Sequence, residues 1–300
     1  MFNKTTSFFI VAFIFCFTAL PANAVDTNRE MLTKSLMVKS GLNHQIRQTP
    51  SVLHEAVAGN FKKAARNANK NIDLVTQKIN NVVSKSFKPD IITSVIKTHI
   101  ETEMAVSDLK SVLDWLNSPL GEKITRLEEE ASTAAAYKEM TATLPLLEQK
   151  NDYIERLRLL NRLDDSIKAT ESMLDREFNM QIVYMTTVST AFPTLNLPST
   201  DSLKANFEIY KKAIRNRIQS EILKSSLYTY RDLELSEIEA YIDFIKTDYG
   251  VRYHKVVHEG MSKAYLYCAK TFGEQIGKLL AETSENTFSK PDVHTYPQKK

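Results

Sequence analysis

The sequence predicts an all-α protein, a bundle-like array of about eight to ten helices in two related halves. Apolar residues recur at three- and four-residue spacing along most of the chain, which is the period of an amphipathic helix. Glycine is rare, with 7 in 300 residues, and little of the chain alternates as a half-buried strand does. One 18-residue pattern also occurs twice. Together these observations favour helices packed on helices, with no sheet.

Residues 1–24 have the three-part pattern of a cleaved secretory signal peptide. An early Lys4 is followed by an apolar run from Phe8 to Leu20, then by Pro21 and a small-x-small triplet. The apolar run is shorter than the roughly 20 residues of a membrane span. We therefore expect export to the periplasm, or full secretion, and no transmembrane span after the signal is removed.

Charge and cysteine content narrow the class of protein further. Cleavage after residue 24 would leave 38 basic and 36 acidic residues, a net charge of +2. Such a balance gives no global attraction to nucleic acid, so no nucleic-acid partner is predicted. Cys268 is then the single remaining cysteine, which excludes an intramolecular disulfide. We expect it to be buried, with an intermolecular disulfide or a reactive thiol as alternatives.

Two long apolar stripes indicate amphipathic helices after the signal segment. The first steps by three or four residues from Phe61 to Val82, and the second from Leu203 to Ile222. Prolines are expected near helix boundaries because the ring removes a backbone N–H donor. The expected first-turn prolines are Pro50 and Pro89, and the expected breaks are at Pro145, Pro193 and Pro198.

The repeated pattern covers residues 107–124, SDLKSVLDWLNSPLGEKI, and residues 236–253, SEIEAYIDFIKTDYGVRY, 129 positions later. Each copy starts with a serine suited to cap a helix, so Ser107 and Ser236 are the expected N-caps. Apolar residues follow at the i, i+3, i+4, i+7 spacing of one buried helix face. An aromatic, a glycine and a basic residue also coincide. The coinciding pairs are Trp115 with Phe244, Gly121 with Gly250, and Lys123 with Arg252.

Both copies predict two helices joined by a tight corner. Pro119 disfavours helical conformation at Ser118 and suits the first position of a new helix. Asp248 replaces the proline in the second copy, where it can act as a cap. The glycine of each copy lets one backbone approach a neighbour closely, and the aromatic is expected to anchor the core. The predicted structural corner consists of Trp115, Pro119, Gly121, Phe244 and Gly250.

Residues 117–123, NSPLGEK, resemble the S-P-x-G-x-K/R helix corner of a family of bacterial exported, all-helical proteins catalogued as a domain of unknown function. Residues 247–252 fit the same corner loosely, without the proline. The resemblance covers about one corner in each half. It implies an all-helical periplasmic module, duplicated here, and it brings no catalytic residues.

Gapped matches extend the repeat on both sides of the corners. They place the first half at residues 25–148 and the second half at residues 149–281. The remaining residues, 282–300, have no apolar stripe and are expected to form a disordered tail.

His254 and His258 are the candidate metal ligands, because i, i+4 spacing on a helix lets two imidazoles share one cation. A zinc peptidase of the H-E-x-x-H type needs a glutamate directly after the first histidine, and Lys255 stands there. The sequence offers no further histidine pair or CxxC to supply other ligands. We therefore predict no metal, no cofactor and no catalytic residue.

Two runs of charge are expected to be solvated surface. Residues 128–130 are consecutive glutamates, which spread around a helix rather than converge. The basic stretch 211–217 is flanked by Glu208 and Glu221, so helix-surface pairing is expected. Binding of an anionic envelope polymer or a lipid headgroup is the alternative for this stretch.

A duplicated helical scaffold without converging reactive groups favours a non-enzymatic binding or interaction module of the cell envelope. Its partner would be another protein, or a small apolar ligand held between helices. Two alternatives stay open. One is a hydrolase acting on envelope material at a site between the halves. The other is a periplasmic chaperone or adhesion accessory that uses an exposed apolar groove.

Overall fold

The computed structural model describes residues 22–65, 72–195 and 197–288. This part of the chain is all α-helical, as predicted, and contains no strand. The helices in the predicted first half of the chain are α1 (Ala22–Lys39), α2 (Leu42–Ala65), α3 (Ile72–Ser86), α4 (Pro89–Glu103), α5 (Val106–Leu116), α6 (Pro119–Ala131) and α7 (Ala134–Leu147). Those of the second half are α8 (Tyr153–Ile167), α9 (Ala169–Ala191), α10 (Thr200–Thr229), α11 (Leu235–Ile245) and α12 (Asp248–Phe288). A short 3₁₀ turn at Pro193–Leu195 lies between α9 and α10.

Both halves contribute to one hydrophobic cluster. The last helix, α12, packs against α3, α4 and α5 of the first half and against α8, α9 and α11 of the second. Burial of apolar surface at about 25 cal/mol per Å² is the main stabilising contribution to such a core. Fully buried members from both halves include Leu36, Ile92, Ile96, Leu109, Leu160, Ile238 and Ile242.

Two of the sequence predictions, the signal segment and the tail, concern the ends of the chain. Apart from residues 22–24, which begin α1, the predicted signal segment lies outside the described residues. At the other end, α12 continues to Phe288 and so includes residues 282–288 of the predicted tail. The rest of the predicted tail is outside the described part. None of the described helices is long and apolar enough to cross a membrane.

The structure confirms the predicted position of one proline and differs from the prediction at two other prolines. Pro89 opens α4 as expected. Pro50, however, lies inside α2, and Pro145 lies inside α7 close to its end. Around Pro50 the helix is held by its neighbours, because Ile46 is buried one turn earlier and Leu53 packs on the core. Tertiary burial of that stripe outweighs the loss of one backbone hydrogen bond.

The predicted serine caps are displaced by two residues. Helix α5 begins after Ala105 and α11 after Glu234, so Ser107 and Ser236 lie inside the first turns. At α11 the backbone N–H of Glu234 donates to the carboxylate of Glu237 at 2.8 Å. That carboxylate satisfies a free amide group at the helix start, which a serine was expected to do.

The two predicted corners have the same local construction. At the first, the backbone N–H of Gly121 donates to the Ser118 hydroxyl at 3.1 Å, and Pro119 opens α6. At the second, the N–H of Gly250 donates to the Thr247 hydroxyl at 3.1 Å. Thr247, rather than Asp248, is therefore the capping residue of α12.

Each corner also brings two backbones close together at its glycine. A Cβ atom on Gly121 would overlap the carbonyl oxygen of Trp115 and lie 2.9 Å from the Cα of Leu116. A Cβ atom on Gly250 would overlap the carbonyl oxygen of Phe244 in the same way. The neighbours are backbone atoms, which cannot swing aside as a side chain does. Close approach is therefore the reason for glycine at both positions.

We expect Gly121→Ala and Gly250→Ala each to lower the free energy of unfolding by about 1–3 kcal/mol, because the added methyl forces the backbone apart. Urea unfolding followed by circular dichroism measures this. The matched control is Gly260→Ala, where the added Cβ would first meet the His99 side chain at 3.3 Å. If all three variants unfold at the same urea concentration, close approach is not what the corners require.

Candidate functional site

The two corners meet through their aromatic residues. The ring of Trp115 stacks on Phe244 with centroids 3.8 Å apart and an interplanar angle of 10°. Tyr241 also stacks on Trp115, with ring centroids 5.3 Å apart. Phe244 is buried, whereas Trp115 is half-buried and packs against the edge of the core. Stacking of this kind adds about 0.5–1.5 kcal/mol per pair beyond the area it buries.

Two ion pairs flank the stack, and they occupy matching positions of the repeated pattern. Arg252 of α12 donates two hydrogen bonds to Asp108 of α5, at 2.7 and 2.8 Å. Lys123 of α6 donates to Glu237 of α11 at 2.6 and 2.8 Å. In the 129-residue register, Asp108 corresponds to Glu237 and Lys123 to Arg252. The contact is thus reciprocal, as in an interface between two copies related by a two-fold axis.

A cavity of about 980 Å³ lies beside the stack. Its apolar walls include Met140 and Leu144 of α7, Ile167 of α8, Met173 of α9 and Met261 of α12. Exposed residues of α7 and α10, such as Thr141 and Lys224, also line it, so the cavity opens to solvent between these helices. A volume of this size is at the upper end of typical small-molecule sites.

Glu128 of α6 supplies a carboxyl group to the wall of this cavity. Its Oε1 accepts hydrogen bonds from the hydroxyl of Tyr230 at 2.7 Å and from that of Tyr241 at 3.3 Å. Burial raises the pKa of Glu128 to about 7, although both tyrosine hydrogen bonds act to lower it. The carboxyl group can therefore gain or lose a proton near neutral pH.

The prediction that residues 128–130 form a solvated face is wrong for Glu128. The three side chains do spread around the helix, since Glu130 is exposed and pairs with Arg126 at 3.1 Å. Glu128, however, follows Gly121 and Ile124 at i+7 and i+4, and both of these residues are buried. Helical periodicity thus directs one glutamate of the three inward.

Tyr230 reaches Glu128 because a buried arginine holds its backbone. Arg156 of α8 is 6% exposed, and its Nη1 donates to the carbonyl oxygens of Tyr230 at 3.0 Å and Leu233 at 2.9 Å. Asp152 accepts from the same guanidinium at 2.7 Å. These contacts satisfy the buried charge and fix the turn between α10 and α11. Arg156 is therefore a positioning residue for the tyrosine.

Both tyrosines act as hydrogen-bond donors to the carboxyl group. Burial, together with the negative charge of Glu128, raises the pKa of Tyr230 and of Tyr241 well above the usual value. The two hydroxyls consequently stay protonated. Their rings also meet edge to face, with centroids 6.1 Å apart. The result is a fixed pair of O–H donors aimed at one carboxylate oxygen.

His254 and His258 line the same cavity, with ring centroids 6.5 Å apart. Burial and the neighbouring His258 lower the pKa of His254 to about 3. Burial and the charge of Arg176 lower the pKa of His258 to about 4. Both imidazoles are therefore neutral at physiological pH. Within the described residues, no three His, Cys, Asp or Glu side chains come together as a metal site would require.

Cys268 and the basic stretch 211–217 were also singled out from the sequence, and the structure shows what surrounds them. Cys268 is fully buried, and burial raises the pKa of its thiol to about 11, so it is a poor nucleophile. In the basic stretch, Arg215 pairs with Glu171 at 2.6 Å and Arg217 with Glu177 at 2.8 Å. These two pairs join α10 to α9. The expected pairing along α10 is also present, with Lys211–Glu208 at 3.6 Å and Arg217–Glu221 at 3.1 Å.

Sequence reasoning missed Glu128, Tyr230, Tyr241 and Arg156. One available signal was the spacing of Glu128 on the buried face of α6. A second was a mismatch in the repeat, because Val257 occupies the corresponding position of the second copy and is buried. The corner can therefore be built with an apolar residue at this position.

Comparisons with protein-family models, with curated proteins and with solved structures each find no match. The resemblance of residues 117–123 to an exported helical family stays a prediction. Functional reasoning for this chain therefore starts from the cavity and its side chains.

We expect Glu128→Gln to change how stability depends on pH. The folded-state pKa of about 7 lies above the usual glutamate pKa of 4.5, so between these pH values the folded state keeps a proton that the unfolded state has lost. Stability contributed by this proton is present at low pH and is lost as the pH rises through about 7. Between pH 5 and pH 7.5 the native protein should lose about 2 kcal/mol relative to Glu128→Gln.

Urea unfolding at a series of pH values measures this difference, and both proteins keep the same histidines. Glu129→Gln is the control, since Glu129 does not line the cavity. Parallel stability curves for the native protein and Glu128→Gln would contradict a raised pKa at Glu128.

Proposed function

We propose that this chain is a non-enzymatic binding module that takes a small, largely apolar molecule into the cavity beside the two corners. The observation that carries the proposal is a cavity of about 980 Å³ with mainly apolar walls and one cluster of polar groups. Ligand sites combine these features, because apolar walls give affinity and a few placed polar groups give orientation.

The distribution of polarity inside the cavity supports a ligand with two different ends. Met140, Leu144 and Met173 surround the part near α7 and α9, and thioether side chains adapt to varied apolar shapes. Glu128 and its two tyrosines form a polar end. An amphipathic molecule would place its apolar body against the first region and its polar group against the second.

The N-terminal segment supports a periplasmic location for this proposed binding module. Residues 1–24 have the pattern of a cleaved signal peptide, and we propose that the mature chain works in the periplasm. The internal repeat supplies the scaffold in this proposal, because both corners share the same capping contact and the same close approach at glycine.

Filling the cavity should abolish uptake of an apolar probe. Ala131 lines the cavity, so Ala131→Phe adds a ring inside it, whereas Ala135 is exposed and does not line it. The native protein should bind the neutral fluorophore N-phenyl-1-naphthylamine with one-to-one stoichiometry. Ala131→Phe should weaken this binding by about tenfold or more, because the site can no longer bury the probe.

The matched variant Ala135→Phe adds the same surface outside the cavity and should bind as the native protein does. Fluorescence titration measures all three, and circular dichroism checks that each is folded. Equal binding by the two phenylalanine variants would place the probe elsewhere. No binding to the native protein would refute the proposed function.

The acid–base behaviour of Glu128 favours a second candidate, a hydrolase with its site between the halves. A carboxyl group with a pKa of about 7 is suited to general acid or base catalysis at neutral pH. Glu128 comes from the first half, and its tyrosine partners come from the second. Such an enzyme would hydrolyse p-nitrophenyl octanoate, and Glu128→Gln would reduce turnover by roughly 100-fold or more. Equal rates for the native protein and the variant would exclude this role for Glu128.

A further inference from the structure

Glu128 has no cationic partner in the part of the chain that the structure describes. Its hydrogen bonds come from two neutral hydroxyls, and no lysine or arginine contributes to its electrostatics. Buried carboxylates in proteins are normally paired, because removing an ionised group from water is costly. A cationic group bound inside the cavity would provide such a pairing for Glu128.

The walls around Glu128 are aromatic. Trp115 and Phe244 stack on one another and both line the cavity, and Tyr241 lies against the same stack. Aromatic faces carry negative electrostatic potential and attract cations, by about 2 kcal/mol when the cation is desolvated. A carboxylate among several aromatic rings is the arrangement that holds an organic ammonium group.

Other charges around the cavity do not oppose a cation. Among the lining residues, Glu148, which follows α7, and Glu221 of α10 are acidic, and Lys224 of α10 is basic and exposed near the opening. The cavity-lining histidines of α12, His254 and His258, are neutral at physiological pH. The titratable groups that line the cavity are Glu128, Tyr137, Glu148, Glu221, Lys224, Tyr228, Tyr230, Tyr241, Tyr253, His254 and His258.

We propose that the ligand of this cavity is an organic cation, an amine or quaternary ammonium group attached to an apolar chain. The ammonium group lies beside Glu128 within the aromatic walls, and the chain lies along the methionine-lined region. This inference rests on the proposed function, since it requires that the cavity bind a small molecule. It adds the charge of the ligand and the residue that recognises it.

Three probes of equal chain length separate the charge of the ligand from its apolar surface. Octyltrimethylammonium, octanol and octanoate can be titrated at monomeric concentrations into the full chain. Trp115 is the single tryptophan, and it lines the cavity, so its fluorescence reports binding directly. We expect octyltrimethylammonium to bind about tenfold tighter than octanol at pH 8.5, where Glu128 is ionised.

The affinity of the cavity for octyltrimethylammonium should depend on pH. Lowering the pH from 8.5 to 6 protonates a group of pKa about 7, so affinity for the cation should fall about tenfold. Affinity for octanol should stay nearly constant over the same range. Glu128→Gln should bind octyltrimethylammonium about tenfold more weakly at pH 8.5 and without pH dependence, while Glu129→Gln behaves as the native chain.

Each other outcome has a definite meaning. Equal affinity for octyltrimethylammonium and octanol overturns the cation proposal and leaves a binding cavity in place. Tighter binding of octanoate than of octyltrimethylammonium also overturns it and identifies an acid as the ligand. Failure of all three probes to bind refutes the proposed function as well. A Glu128→Gln variant that binds octanol normally is folded, so its loss of cation binding cannot be attributed to misfolding.

Discussion

The stack of Trp115 on Phe244 is the contact on which the rest of this structure depends. It joins the equivalent positions of two similar helix corners, and the ion pairs Asp108–Arg252 and Lys123–Glu237 flank it reciprocally. Partly exposed ion pairs contribute at most about 1 kcal/mol each, so aromatic burial supplies most of the energy and the charges fix the register. The joined corners fix where α6 and α12 begin, and they therefore fix the space between these two helices.

That space is asymmetric although the corners are alike. Glu128 faces the cavity on one side, and Val257 occupies the corresponding position on the other. A partly buried carboxyl group whose hydrogen bonds come only from tyrosine hydroxyls is destabilising in its ionised form, and its raised pKa reflects that cost. Arg156 adds a second buried charge whose contacts hold the tyrosine turn in place. The chain thus maintains a costly polar cluster beside an apolar cavity, as binding sites and active sites do.

Local sequence rules succeeded where one nearby backbone feature decides the outcome. The glycine corners were predictable because an aromatic residue and a glycine recur at the same spacing in both copies, and the contacts at each corner are within a few residues. The same rules failed at Pro50 and at the serine caps. In those places packing of Ile46 and the carboxylate of Glu237 decide where the helix runs, and neither is visible in the local pattern. The inward direction of Glu128 was only partly predictable. The helical periodicity of α6 indicated it, whereas the charge of the side chain favoured exposure to solvent.

The sequence by itself determined the all-helical class, the two corners and their glycines, because the period of apolar residues and the chemistry of turns are local properties. It also carried the mismatch between Glu128 and Val257. Only the tertiary structure decided that Glu128, Tyr230 and Tyr241 meet, since these residues are separated by 102 and 113 positions. Their convergence depends on how α6, α10 and α11 pack around the aromatic stack. A cavity is a property of that packing, and no single helix contains the information for it.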